Sequence, residues 1–134
     1  HPLRGPCRAI IDAIGDGRVA ATTTVEVLQE FLHVHARRGR AEAIEHARDY
    51  LRLLSPLREV QAEDFEAALV LLASHPTLGA FDSVLAAVAM RTPPGALVSA
   101  DRALATIPGL RHVDPADATA VAALLGEDRP TNVR

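Results

Sequence analysis

The chain has 134 residues, a length that fits one domain, and 49% of them are hydrophobic, enough for a real core. Its 14 basic residues are all arginine, its net charge is −3 and its pI is near 6.1, which is not the profile of a generally basic nucleic-acid binder but leaves an acidic nuclease site open. Cys7 is the single cysteine, so no internal disulfide can form, and a reducing, cytoplasmic setting fits; no apolar run approaches a membrane span and no signal peptide is visible.

Aromatic residues are scarce: Phe31, Tyr50, Phe65 and Phe81 are the whole set. Ala, Leu and Val must therefore do the packing, which favours helices laid closely on a sheet. Residues 6–14 read as a helix with Ile10, Ile11 and Ile14 on one face, stopped by Gly15 and Gly17. Cys7, with no His or acid motif around it, reads as buried filler. Residues 18–21 are a short apolar run into a threonine cluster and read as a buried strand. A helix over 24–38 carries Val27, Leu28, Phe31, Leu32 and Val34 at the helical period, and Gly39 ends it. A second helix over 41–54 carries Ile44, Ala47, Leu51 and Leu54 before Pro56 breaks it. Residues 57–60 read as a second strand, and 62–74 as a helix closed by His75-Pro76. Residues 81–90 form a markedly apolar helix, ended by the Pro93-Pro94-Gly95 turn. Then come a third strand at 96–99, a short helix at 101–105, a turn at Pro108-Gly109, a fourth strand at 111–113 and a last helix at 116–125. The tail after Gly126 is polar and reads as frayed.

Helices alternating with short apolar strands predict an α/β domain of three layers, a parallel β-sheet flanked by helices on both faces. In such sheets, sites form outside the carboxyl ends of the strands. Three acids fall at strand exits or helix entries. Glu26 follows the first strand, Asp82 opens the apolar helix, and Asp101 follows the strand at 96–99. Carboxylates converging on that edge would suit Mg²⁺ or Mn²⁺, which take oxygen ligands and lower the pKa of bound water. Each acid also has a plain structural reading. Glu26 fits a capping box with Thr23, Asp82 suits the positive end of a helix dipole, and Asp101 suits an N-cap.

The segments around these acids resemble a known family. Thr22-Thr23-Thr24-Val25-Glu26-Val27-Leu28 looks like the PIN-domain segment carrying that family's second acid. Phe81-Asp82-Ser83-Val84-Leu85 and the alanine-rich run after it are similar to the segment carrying the third. Leu97-Val98-Ser99-Ala100-Asp101-Arg102 resembles the strand-plus-acid segment carrying the fourth. The acids stand 56 and 19 residues apart, spacings that look right for the VapC branch. The resemblance implies a metal-dependent endoribonuclease, the toxin of a type II toxin–antitoxin system. Its partners would be RNA, a cognate antitoxin whose tail lies along the acidic groove, and a second copy in a homodimer. It implies that Asp82 and Asp101 help hold Mg²⁺ or Mn²⁺, that Glu26 holds a second metal or its water shell, and that Ser99 orients a bound water or Asp101. The family's first acid sits on a first strand, in a pattern like Asp-x-Asn or Asp-x-Ser, ahead of anything present after His1. Residues 1–134 thus read as a single PIN-like domain, incomplete at its N-terminus, with the missing strand supplied from elsewhere. The absent acid keeps a second reading open: a catalytically silent PIN-like module that binds antitoxin or RNA.

Other features weigh less. His33 and His35 lie two apart, about 200° around a helix, so they cannot share a metal and read as surface residues. Arg37, Arg38 and Arg40 cluster at a helix end, either as a dipole-matched solvated terminus or as a rim for RNA phosphates. The apolar stripe along residues 24–54 reads as a surface for antitoxin or a second copy. No P-loop, nucleotide fingerprint, zinc-ligand spacing or Gly-x-Ser-x-Gly elbow occurs.

Overall fold

Helical periodicity dominates the chain, and helices dominate the computed structural model, which describes residues 1–92 and 95–126. In order they are α1 (Arg4–Gly15), α2 (Val25–His35), α3 (Arg40–Leu54), α4 (Ala62–Ser74), α5 (Ala80–Arg91) and α6 (Ala118–Leu125). Strands β1 (Ala96–Val98) and β2 (Arg111–Val113) pair in parallel, joined through a 3₁₀ helix at Arg102–Thr106. The register places Ala96 opposite Arg111, Leu97 opposite His112 and Val98 opposite Val113. This is the α/β class that the alternating pattern predicts.

The chain forms two compact units. The larger takes His1–Val19 and the described residues from Gln61 on; the smaller is Ala20–Val60. In the larger unit Leu78, Ala86, Leu104 and Ile107 form the core, with Leu71, Met90 and Leu97 packed against it. Ala86 and Leu104 are fully buried. The small side chains of Ser83, Ala86 and Ala87 are what let α5 lie close against its neighbours. The connection into β1 is just as tight. A Cβ at Gly95 would come within 2.9 Å of the Thr92 carbonyl oxygen, so no larger residue fits there without a shift. The entry to β2 is a turn in which Leu110 N–H donates to the Ile107 carbonyl, with Pro108 second and Gly109 third at φ 82°, the arrangement of a type II turn.

In the smaller unit α2 and α3 form a helical hairpin. Phe31 stacks on His35 with centroids 4.3 Å apart and meets the edge of Tyr50 at 5.2 Å. Ala43 is its buried contact on α3. Ile44 and Leu51, read from sequence as the inward face of α3, are exposed instead. Ala47 and Leu54 are half-buried as expected, while Ala43 and Tyr50 take the inward places of Ile44 and Leu51.

Two of the four expected strands are not strands. Residues 18–21 form none, because Arg18 N–H and Val19 N–H both donate to the Ala13 carbonyl at the end of α1, at 2.9 and 3.2 Å, and so are spent closing a helix. Residues 57–60 reduce to a single parallel bridge between Thr24 and Arg58, supported by Arg58 N–H to the Thr23 carbonyl at 2.9 Å and Thr22 Oγ to the Pro56 carbonyl at 2.8 Å. Cys7 is exposed, not buried, since the inward face of α1 is Ile10 and Ala13. Pro93, Pro94 and the tail after Gly126 lie outside the described residues.

An ion pair between the buried Asp64 and the exposed Arg91 ties α4 to α5. Asp64 closes a capping box with Gln61, accepting the Gln61 N–H at 2.8 Å, and its other oxygen accepts from Arg91 Nε at 2.8 Å. Burial pushes the Asp64 carboxyl upward, but the Arg91 and Gln61 hydrogen bonds and the Arg91 charge outweigh it, leaving its pKa below the ordinary 3.8. A depressed folded pKa gives stability that is present above the unfolded value and lost as pH falls through the folded one. Asp64→Asn is therefore expected to lower stability by about 2 kcal/mol at neutral pH. The gap between variant and wild type should shrink below pH 4 in urea melts followed across pH. A gap that persists into acid would mean that the charge of Asp64 contributes nothing.

Candidate active site

Asp82 and Asp101 reach one place from two different elements. Asp82 is the third residue of α5, whose N-cap is Gly79, and one turn later on the same helix face comes Ala86, buried in the core. Asp101 is the N-cap of the 3₁₀ helix, and three residues on comes Leu104, buried in the same cluster. Packing Ala86 with Leu104 thus draws the two acids together, and their carboxyl groups are hydrogen-bonded to each other.

The backbone around Asp101 is fixed on every side. Ser99 N–H donates to the Val113 carbonyl at 3.1 Å, extending the ladder one residue past β1. Asp101 N–H donates to Ser99 Oγ at 3.1 Å, and Ala103 N–H donates to Asp101 Oδ1 at 2.9 Å. His112 Nε2 lies 2.7 Å from the Ser99 carbonyl oxygen. The Ala103 amide first, then the hydrogen bond with Asp82, hold the Asp101 carboxyl below its ordinary pKa; desolvation opposes them and the charge of His112 assists. The N-cap reading of Asp101 is thus correct as far as it goes. It leaves out the second carboxyl group beside the cap.

Glu26 belongs to the smaller unit. The capping box expected with Thr23 does not form. Thr24 is the N-cap of α2 without a side-chain cap, which makes Glu26 the second helical residue and not the third. Glu26 Oε2 and Thr24 Oγ1 are buried and have no hydrogen-bond partner among the described residues. A buried carboxylate oxygen left unpaired is costly, so such atoms are normally matched by water, a cation or a ligand. Among the described residues no three His, Cys, Asp or Glu side chains stand together as a ready ligand set. What the structure brings together is the aspartate pair.

The donor chemistry of that pair suits a hard divalent ion. Mg²⁺ is commonly held by one or two carboxylates, with water and substrate phosphate completing its shell. Two neighbouring carboxyl groups repel when both are charged, which favours a cation beside them. His112 was not singled out in the sequence: one histidine in a three-residue strand carries no motif. The only available signal was its place in a strand predicted to run beside the one that leads to Asp101.

The remaining candidates are surface features. His33 and His35 are exposed, with Arg37 donating to His33 Nε2 at 3.2 Å and Phe31 stacked on His35. Arg37, Arg38 and Arg40 are exposed at the α2–α3 turn and have no acidic partner within ion-pair distance among the described residues. Among those residues no helix is long and apolar enough to cross a membrane.

The PIN domain matches residues 1–110 of the chain. Over 132 residues the chain is 46% identical to Ribonuclease VapC7 of Mycobacterium tuberculosis, which spans 95% of this chain and 88% of that protein. It is 33% identical over 82 residues to Ribonuclease VapC23 of the same species, 61% of this chain and 65% of that protein. It is 28% identical over 114 residues to Ribonuclease VapC13, also of that species, covering 84% and 87%. No solved structure matches the chain. The chain belongs to the PIN-domain family.

The carboxyl pair has a consequence for stability that is separate from function. Asp82→Asn keeps the shape and can still donate to Asp101, while removing one of two crowded acids. The metal-free variant should be as stable as wild type or slightly more so, within about 1 kcal/mol. Differential scanning fluorimetry in EDTA checks this. A loss of several degrees in melting temperature would assign Asp82 to the helix terminus alone.

Proposed function

We propose that this protein is a divalent-metal-dependent endoribonuclease, the toxin of a type II toxin–antitoxin system acting on RNA in the cytoplasm. The observation that carries the reading is the hydrogen-bonded Asp82–Asp101 pair, in a PIN-family chain 46% identical to a ribonuclease over nearly its whole length. Asp82 and Asp101 would hold Mg²⁺ or Mn²⁺. When bound, such an ion supplies Lewis acidity toward the phosphodiester and lowers the pKa of water near pH 7. Glu26 serves the same reaction, which accounts for a buried carboxylate oxygen without a partner. Ser99 fixes Asp101 by accepting its backbone N–H. The natural partners on this reading are RNA, a cognate antitoxin that restrains the enzyme, and a second copy of the chain. The exposed apolar residues Val25, Val34, Ile44 and Leu51 of the smaller unit give α2 and α3 a surface for one of these proteins. Residues 1–134 act as one PIN-like catalytic domain.

In the full-length protein, Asp82→Asn, Asp101→Asn and Glu26→Gln should each reduce RNA cleavage by about a hundredfold or more while leaving the protein folded. Calorimetric titration with Mn²⁺ should saturate for wild type and fail for the aspartate variants. Wild-type cleavage in Asp82→Asn would remove the pair from the reaction. A wild-type protein without a saturable Mn²⁺ site that still shifts RNA or antitoxin would be the silent binding module instead.

Arg37, Arg38 and Arg40 contact the RNA backbone on this reading. Phosphate contacts position a substrate without reading its sequence. Replacing all three with Ala should raise KM with little change in kcat and flatten the salt dependence of binding by roughly 0.7 log unit per lost phosphate contact. Unchanged KM and salt slope would reduce the cluster to a solvated helix end.

A further inference from the structure

His112 is a half-buried imidazole on β2, and the active site described above does not use it. Its Nε2 lies 2.7 Å from the Ser99 carbonyl oxygen. A carbonyl oxygen can only accept, so Nε2 must carry the proton and donate. That contact closes a frame around the turn that delivers Asp101. The turn leaves β1 at Ser99, where the strand ladder gives out after Ser99 N–H meets the Val113 carbonyl. Beyond that bond, Asp101 N–H leans on Ser99 Oγ and the Asp101 carboxylate leans on Ala103 N–H, both within the turn itself. The His112 imidazole is the side chain from the neighbouring strand that ties the turn to the sheet. In the register His112 stands opposite Leu97, so its ring reaches forward two residues along β1 to the point where the chain bends toward Asp101.

We propose that His112 is a positioning residue: by holding the Ser99 carbonyl it fixes the Ser99–Asp101 turn and so keeps the Asp101 carboxylate beside Asp82. The proposal rests on the reading of Asp82 and Asp101 as the metal-holding pair, and it adds to that reading the device that holds them in register. Groups that orient ligating carboxylates matter out of proportion to their distance from the chemistry, and losing one commonly weakens metal affinity or activity by about 10–100-fold.

Three variants test it in the full-length protein: His112→Ala, His112→Gln, whose side-chain amide can still donate to Ser99, and His112→Leu, which keeps bulk without a donor. Amide hydrogen exchange at Ser99, Asp101 and Ala103 reads the turn directly, whatever the activity. Exchange should quicken by about tenfold in the Ala and Leu variants and stay near wild type in the Gln variant. Mn²⁺ affinity by calorimetry should fall by about tenfold or more in Ala and Leu and recover most of that in Gln, with kcat following metal affinity and KM for RNA little changed. Unchanged exchange and unchanged Mn²⁺ affinity in both Ala and Leu would overturn the proposal. So would equal losses in Ala, Leu and Gln, because the donor would then not matter. Failure of the underlying reading looks different: wild type itself binds no Mn²⁺, while exchange at the turn still separates Gln from Ala and Leu.

Discussion

Two acidic side chains resist being brought together, and something else in the fold has to hold them. Here it is the contact between a helix and a 3₁₀ turn. Ala86 and Leu104 are both fully buried in one cluster, and each lies one turn beyond an aspartate on its own element. Burying Leu104 alone contributes about 1.5–3 kcal/mol, and Leu78 and Ile107 add to the same cluster. The carboxyl groups lie at the edge of this packing and take their separation from it. The dependence runs one way. Removing an acid leaves the core intact, whereas enlarging Ala86 would push α5 away from the 3₁₀ turn and part the acids without touching either.

The scarcity of aromatic residues then has a structural sense. Helix α5 buries Ser83, Ala86, Ala87 and Val88, all small, and Ser83 Oγ satisfies itself on the Ala80 carbonyl at 2.7 Å. Small side chains allow close approach, and close approach lets the first turn of α5 lie over the strand exit. At Gly95 the backbone approaches so closely that even a Cβ has no room. Further along the helix, Arg91 leaves the packed face to reach the buried Asp64, where Asp64 also closes the cap of α4. The two ends of α5 thus differ: packing fixes the start, where Asp82 is carried toward the 3₁₀ turn, and the Arg91–Asp64 bond ties the end to α4.

Much of this was legible in the sequence, and the parts that were not have identifiable causes. The helix at Ala62–Ser74 and the strand at Arg111–Val113 fall where periodicity and turn residues put them. Pro108-Gly109 announced its turn because only glycine adopts φ 82° there without strain. The expected strands near 18–21 and 57–60 were misread, because a short apolar run says nothing about where its amide hydrogens go, and two of them go back to Ala13. The face of α3 was read correctly at Ala47 and Leu54 and misread at Ile44 and Leu51, because Ala43 is too small to outvote large apolar residues in a pattern, although it is the residue that is buried. Asp101 was legible as a cap and as a site residue, and it serves as a cap beside a second acid. His112 was not legible, because its importance lies in a contact with a backbone carbonyl 13 residues away, and backbone carbonyls leave no mark on composition.

The charges sort in a way that bears on how such a protein handles RNA. The exposed pairs Arg8–Asp12, Arg18–Asp16 and Arg52–Asp49 contribute little to stability, since water screens them. Arg91 is committed to Asp64. With a net charge of −3, the chain has no general attraction for a polyanion, so any hold on RNA must come from local groups. Arginines gathered at one turn suit that role, because guanidinium groups bind phosphate in a planar fork and stay charged at every relevant pH. The acid pair suits the opposite partner, a cation. On the proposed function the two groups of residues take opposite ligands: the arginines take phosphate without reading sequence, and the acid pair takes the cation.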